Sequence, residues 1–149
     1  MRRLALYMLL LAIACAYGAA TDETVDELKA RVESARPEDR ADLCIRIAQR
    51  QLRNADRLYS NGNVDQARAA VDDIVTYSEK ARDGASQTKK HLKNVEIDVR
   101  KMAEKLRDIR RTLAFEDQPP VEQAIRRLED VRTTLLKEMF ANDNKKEKK

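Results

Sequence analysis

From residue 24 onward the apolar residues of this chain recur at intervals of three and four, the spacing of side chains along one side of an α-helix. Val25, Leu28 and Val32 open the pattern. Just before them, Thr24 and Glu27 stand three apart, as in a reciprocal helix cap, so a short first helix is expected to run to about Ala35. Pro37 suits the first turn of a second helix, with Glu38 and Asp39 near its positive end. Ala41, Ile45, Ala48, Leu52, Ala55 and Tyr59 then form a narrow apolar stripe, widened by Cys44, Ile47 and Leu58. Asn61-Gly62 closes that helix, because glycine accepts the left-handed conformation a tight turn requires. Asn63 and Gln66 are placed to cap a third helix, with Val64, Ala67, Val71, Ile74 and Ala81 facing inward. So short a connection makes helices two and three antiparallel.

Gly84 and Ser86 mark the next break, although one glycine costs a helix only about 1 kcal/mol and a bent continuous helix fits as well. The fourth helix carries the most regular pattern: Leu92, Val95, Val99, Met102, Leu106, Ile109 and Leu113 alternate steps of three and four, as in a coiled-coil seam. The segment 117–120 ends it. A fifth helix is expected from about Pro119 to Phe140, with Val121, Ile125, Leu128, Val131, Leu135 and Met139 inward. The pattern therefore predicts an all-α fold: one helical domain over 21–140, built as antiparallel helical hairpins in a bundle with the heptad-patterned helix as its spine. Residues 141–149, which end in Lys145-Lys146-Glu147-Lys148-Lys149, are expected to form a disordered, solvated basic tail.

Val64-Asp65-Gln66-Ala67, followed by Val71-Asp72-Asp73-Ile74, recurs as Val121-Glu122-Gln123-Ala124, followed by Leu128-Glu129-Asp130-Val131. Helices two-three and four-five read as two versions of one hairpin, although capped amphipathic helices also converge on such strings. Around the Asn-Gly turn, Ala55, Leu58, Gly62, Val64, Ala67, Val71 and Ile74 resemble the packing positions of a tetratricopeptide unit, and Pro37 is similar to the proline between its repeats. The resemblance is best over residues 55–74. Gln51 and Asn54 stand where that family has large apolar residues, and Glu79 replaces its closing proline. The offset from Val64 to Val121 is also far longer than the family's period of about 34. What the resemblance implies is a short array of helical hairpins whose matched residues pack and do not bind ligand.

Composition refines this picture. The 149 residues are 38% charged and 4% aromatic, yet 42% are hydrophobic and helically spaced, so the chain has surface to bury and is expected to fold. Residues 1–20 have the layout of a secretory signal: Arg2 and Arg3, an apolar run from Leu4 to Ala16, then Gly18, Ala19 and Ala20. Cleavage after Ala20 would leave Thr21 first and make the protein exported, periplasmic or secreted. Two other outcomes are compatible. The run could stay as an uncleaved anchor, although it is shorter than the ~20 residues that span a bilayer. Alternatively Ala12-Ile13-Ala14-Cys15, which resembles a bacterial lipobox with Leu11 one position early, could lipidate Cys15. Only in those cases is a membrane a partner. Residues 1–20 hold two of the basic residues and no acid, so the formal charge of +4 falls close to balance without them. With no basic face bearing interleaved aromatics, nucleic acid is not an expected partner. Cys44 is then alone, leaving no internal disulfide, and is expected to be a small buried hydrophobe.

Reactive chemistry is thin. His91 is the sole histidine and is expected beside the seam of the fourth helix as a partly exposed boundary residue. One histidine cannot supply the paired Glu-x-x-His of a dinuclear site. Haem attachment by Cys-x-x-Cys-His is absent from the sequence, and of the methionines beyond the leader Met102 shares a helix with His91, leaving Met139 as a partner. Three isolated glycines make no phosphate loop. Asp72-Asp73 and Glu129-Asp130 are expected to be solvated acids paired with arginines, as Glu122, Arg126 and Asp130 would be at helical spacing. The expectation is a protein with no catalytic, cofactor-binding or metal-binding residues: an exported helical interaction or structural module of a bacterial envelope. Its partner would be another protein, or a second copy met through surplus apolar residues of helices four and five. A periplasmic holding chaperone and a small-ligand or lipid carrier are the alternatives.

Overall fold

The computed structural model describes residues 23–146, with side chains as far as 141. The segment 1–20, Cys15 and tail residues 147–149 lie outside the described residues. Five helices follow in order: α1 (Val25–Ser34), α2 (Pro37–Ser60), α3 (Val64–Thr88), α4 (Leu92–Thr112) and α5 (Gln118–Lys146), with a 3-10 turn at Phe115–Asp117 before the last. The fold is all-α, and no strand occurs among the described residues.

Local chemistry accounts for most of the boundaries. Thr24 donates its backbone N–H to Glu27 Oε2 (2.7 Å), and Glu27 returns its own N–H to Thr24 Oγ1 (3.2 Å), forming the expected reciprocal cap. Pro37 begins α2, where its missing N–H costs nothing. At the end of α2, Gly62 takes φ +76° while Asn63 N–H reaches back to the Leu58 carbonyl (2.9 Å). Asn63 occupies the cap position of α3, but its side chain makes no capping bond, so the expected reciprocal cap with Gln66 does not form.

Two boundaries differ from the sequence reading. The chain does not break at Gly84 or Ser86: α3 runs through both, and the break falls at Lys89 (φ +57°) and His91 (φ +64°). Two side-chain-bearing residues in the left-handed region cost roughly 1 kcal/mol each, a strain the packed hairpins on either side impose. Gly84 lies inside α3 against α2, where a Cβ would stand 3.5 Å from the Ala41 backbone nitrogen, in ordinary van der Waals contact. The second difference is that α5 continues to Lys146, beyond the expected end at Phe140 and into the stretch expected to be disordered.

The broadest interfaces are α2 with α3 and α4 with α5, the two expected hairpins; these meet chiefly through α3 and α5, and less through α2 and α4. Cross-helix pairs fix the directions. Arg68–Asp117, Glu79–Arg127 and Lys89–Glu138 climb α3 and α5 together, so those helices run parallel. His91–Asp42 and Lys105–Asp56 show the same for α4 and α2. Arg110–Glu122 and Arg132–Glu96 run oppositely, making α4 and α5 antiparallel. Two hairpins thus lie side by side in the same orientation, as in a short array, and not as an up-and-down ring in which all neighbours oppose.

The expected stripes supply the core. In α4, Leu92, Val95, Val99, Met102, Leu106 and Ile109 are all buried, with Leu113 half-buried at the helix end. Yet α4, at 21 residues, is the shortest of the four hairpin helices, and the central place belongs to α3, which touches α2, α4 and α5. It also holds α1, through Lys29 Nζ and Asp73 Oδ2 at 2.6 Å. α1 itself packs on α2, burying Leu28 and Val32.

Candidate interaction surface

The residues with reactive groups are dispersed. His91 is half-buried in the α3–α4 connection, its Nδ1 3.6 Å from Asp42 Oδ1. Met102 is buried in the seam and Met139 half-buried near the end of α5. Asp73 is consumed by Lys29 and by Gln51 Nε2 (2.6 Å), while Asp72 faces solvent. Glu129 accepts from Arg107 (2.6 Å) and Arg132 (2.7 Å); burial pushes its carboxyl up, but the two guanidiniums outweigh that and hold it below the usual range. Glu122 meets Arg126 at 4.0 Å and accepts more closely from Arg110, at 2.5 Å. Among the described residues no group of three or more His, Cys, Asp or Glu is arranged to hold a metal ion. No helix among them is long and apolar enough to cross a membrane.

Two surface crevices flank α1. One, of about 300 Å³, has Val32, Cys44 and Gly84 as its floor and Glu33, Arg40 and Lys80 on its rim. Cys44 is 1% exposed, and burial pushes its thiol up to about 11, so it sits there as a protonated, inert hydrophobe. The other, about 430 Å³, lies where α1 turns into α2, between Arg31, Leu43 and Arg46. Each mixes both signs of charge over a small apolar area, an arrangement suited to surface contact more than to enclosing a ligand.

Charge is unevenly placed on α2. Arg46, Arg50, Arg53 and Arg57 fall four, three and four residues apart, opposite the apolar stripe, and Arg46, Arg53 and Arg57 are exposed. Glu23, beside Arg46, accepts twice from Arg31 Nη1 (2.6 and 2.8 Å) before meeting Arg46 at 3.5 Å. Asp56, on the same stretch, is turned toward Lys105 of α4 at 2.9 Å. The arginine spacing was available in the sequence; a whole-chain charge balance hid it. Among the described residues the two exposed large apolar side chains, Phe115 (85%) and Phe140 (65%), lie away from this face, in the α4–α5 connection and near the end of α5. The chain matches no family model, no curated protein and no solved structure.

Proposed function

We propose that this chain is an exported, non-catalytic helical module of a bacterial envelope that works by presenting a rigid surface to a protein partner. The observation that carries the reading is the parallel alignment of the two hairpins, which sets α2 and α4 side by side as one platform. α1 closes the array beside α2, and ion pairs from Arg107, Arg110 and Arg132 lace the α4–α5 groove, so each end is finished by a cap or by polar contacts. Such finishing is what a short soluble array needs, and it leaves helix faces as the surface to offer.

Photo-crosslinking residues at Gln49 or Lys101, on the platform, and at Thr133, on α5, test this in the native envelope. A discrete adduct from the platform positions alone is expected. Turnover of a metabolite by the purified protein, a tightly held cofactor, or no adduct from any position would overturn it. Recovery from the periplasmic fraction with Thr21 as the first residue is the expected outcome for export; a chain retained in the cytoplasm with Met1 in place would refute it.

A further inference from the structure

We infer that the outward stripe of α2, formed by Arg46, Arg53 and Arg57 with Arg50 among them, docks an acidic helical segment of the partner protein. The inference rests on the reading of the chain as an interaction module and assigns the chemistry of what it binds.

The stripe is straight and short. At 1.5 Å per residue it extends about 16 Å along the helix, three turns with one guanidinium or two on each. At Arg46 and Arg53 it is also undercompensated among the described residues: Glu23 serves Arg31 first and meets Arg46 only at 3.5 Å, and Arg53 makes no ion pair there. Arg57 is held without being neutralised. Its Nη2 donates to Asn54 Oδ1 (2.9 Å), Asn54 Nδ2 donates to Gln51 Oε1 (3.2 Å), and Gln51 Nε2 donates to Asp73 (2.6 Å). Gln51 is 8% exposed, so this ladder of neutral amides runs from the interior to the surface and aims a guanidinium outward with its charge intact. Gln51 and Asn54 are the two positions at which the chain departs from an apolar hairpin face, and the ladder gives both a purpose.

The chemistry of the stripe selects among anionic partners. Planar guanidiniums pair with carboxylates in a fork that ammonium groups cannot reproduce. No aromatic lies along the stripe on which a nucleobase could stack, and no exposed large apolar residue of this face could enter a bilayer. A helix with Glu or Asp at intervals of seven and four mirrors the exposed Arg46, Arg53 and Arg57. Asp39 and Asp42, on the first turns of α2, set the polarity by disfavouring an acidic segment that overruns the stripe in that direction.

The test uses the chain without residues 1–20 and a labelled synthetic acidic helix with Glu at the seven-four spacing, read by fluorescence anisotropy. Binding at about 20 mM salt should weaken at least about tenfold at about 300 mM, as solvent-exposed charge pairs are screened. R46E/R53E/R57E should abolish binding while its far-UV circular dichroism and thermal midpoint stay near those of the parent; R57K and N54A should lose about threefold through the fork and its aim. No binding at low salt, equal binding by the triple variant, or tighter capture of vesicles containing phosphatidylglycerol than of the peptide would overturn the proposal. Should the peptide fail while Gln49 or Lys101 still crosslinks a protein, the acidic partner falls and the module stands; should crosslinking fail as well, both fall.

Discussion

The two hairpins achieve the same architecture with different packing. α2 and α3 meet through small residues: Ala41, Ala48 and Ala55 on one side, Ala70, Ala81 and Ala85 on the other, all at most 4% exposed. Small side chains let two backbones approach closely, and the interface is held by dispersion over its length. In α4 and α5 larger side chains, Val99, Met102, Leu106, Leu128 and Leu135, fill the interface, and charged pairs cover its outer groove. The first hairpin should therefore be sensitive to added volume, and the second to lost volume and lost charge.

The largest effect should come from placing a charge in the seam. V99D or L106D is expected to cost upward of about 4 kcal/mol, because an unpaired carboxylate replaces a fully buried branched side chain, whereas K101D at an exposed position of the same helix should stay within about 0.5 kcal/mol. Urea unfolding at neutral pH makes the comparison, and equal losses at the two kinds of site would refute the seam. Ala81→Leu tests the other hairpin. Ala81 is 0% exposed at the close approach, so overpacking should cost about 2–3 kcal/mol. The same substitution at exposed Ala69 should be nearly neutral.

Next in size is Arg132→Met. Arg132 Nε donates to Glu96 Oε1 at 3.0 Å, and Glu96 is 8% exposed, so removing the guanidinium strands a carboxylate in the α4–α5 groove. A loss of about 2 kcal/mol is expected, largely restored when Glu96 is also replaced by Met, because the penalty belongs to the unpaired charge and not to the missing attraction. A double-mutant cycle in urea measures it; a double variant no better than the single one would show that shape, not charge, sets the cost.

That pair also shows where sequence reading stops. Periodicity located all five helices and most of the buried residues, since a helix's inward face is encoded within the helix itself, but not those that widen the buried face, such as Leu43, Val75, Tyr77 and Ala85. Glu96 lies between Val95 and Ile97 at an unremarkable polar position, and only the folding of α5 against α4 brings Arg132 to it. Likewise, short connections make successive helices antiparallel, but no local signal says whether the two hairpins lie side by side or close into a ring; that shows only in pairs some fifty residues apart such as Arg68 with Asp117. The misplaced break has a different cause. Glycine commonly punctuates a helix, but Gly84 meets Ala41 inside an unbroken one, and the turn falls at Lys89 and His91, residues with little turn preference, because the hairpins on both sides dictate its course. Of the candidate surface, the arginine spacing was legible, whereas the amide ladder that aims Arg57 required the packing of α2 on α3.

The two described glycines turn that lesson into a smaller prediction of opposite signs. A Cβ at Gly84 would be 3.5–3.8 Å from Ala41 atoms, ordinary van der Waals contact, so Gly84→Ala should stabilise by about 0.5–1 kcal/mol through helix propensity and a less flexible unfolded chain. Gly62 has open space around it but sits at φ +76°, so Gly62→Ala should destabilise by about 1 kcal/mol. Thermal midpoints moving apart would bear this out; both falling together would mean that the α2–α3 approach is tighter than these distances allow.

The smallest effect separates the hairpins by pH. Burial pushes the Glu129 carboxyl up, yet Arg107 and Arg132 hold it lower than the 4.5 of a free side chain. The Ser86 hydroxyl first, and Lys89 with it, does the same for Glu138, against the opposing pull of burial. A carboxylate depressed in the folded state favours folding above its unfolded value, and that contribution drains away as pH falls through the folded one. Stability should therefore decline from about pH 5 downward. E129Q should flatten that acid limb by less than about 1 kcal/mol, since the pair is partly solvated, and should lower stability at neutral pH by a similar amount. An E129Q chain whose urea midpoint still fell as steeply as the parent's between about pH 5 and 3 would place the acid sensitivity outside the α4–α5 groove. Because Glu138 joins α5 to α3 whereas Glu129 joins it to α4, E138Q acting alone would instead assign it to the junction between the hairpins.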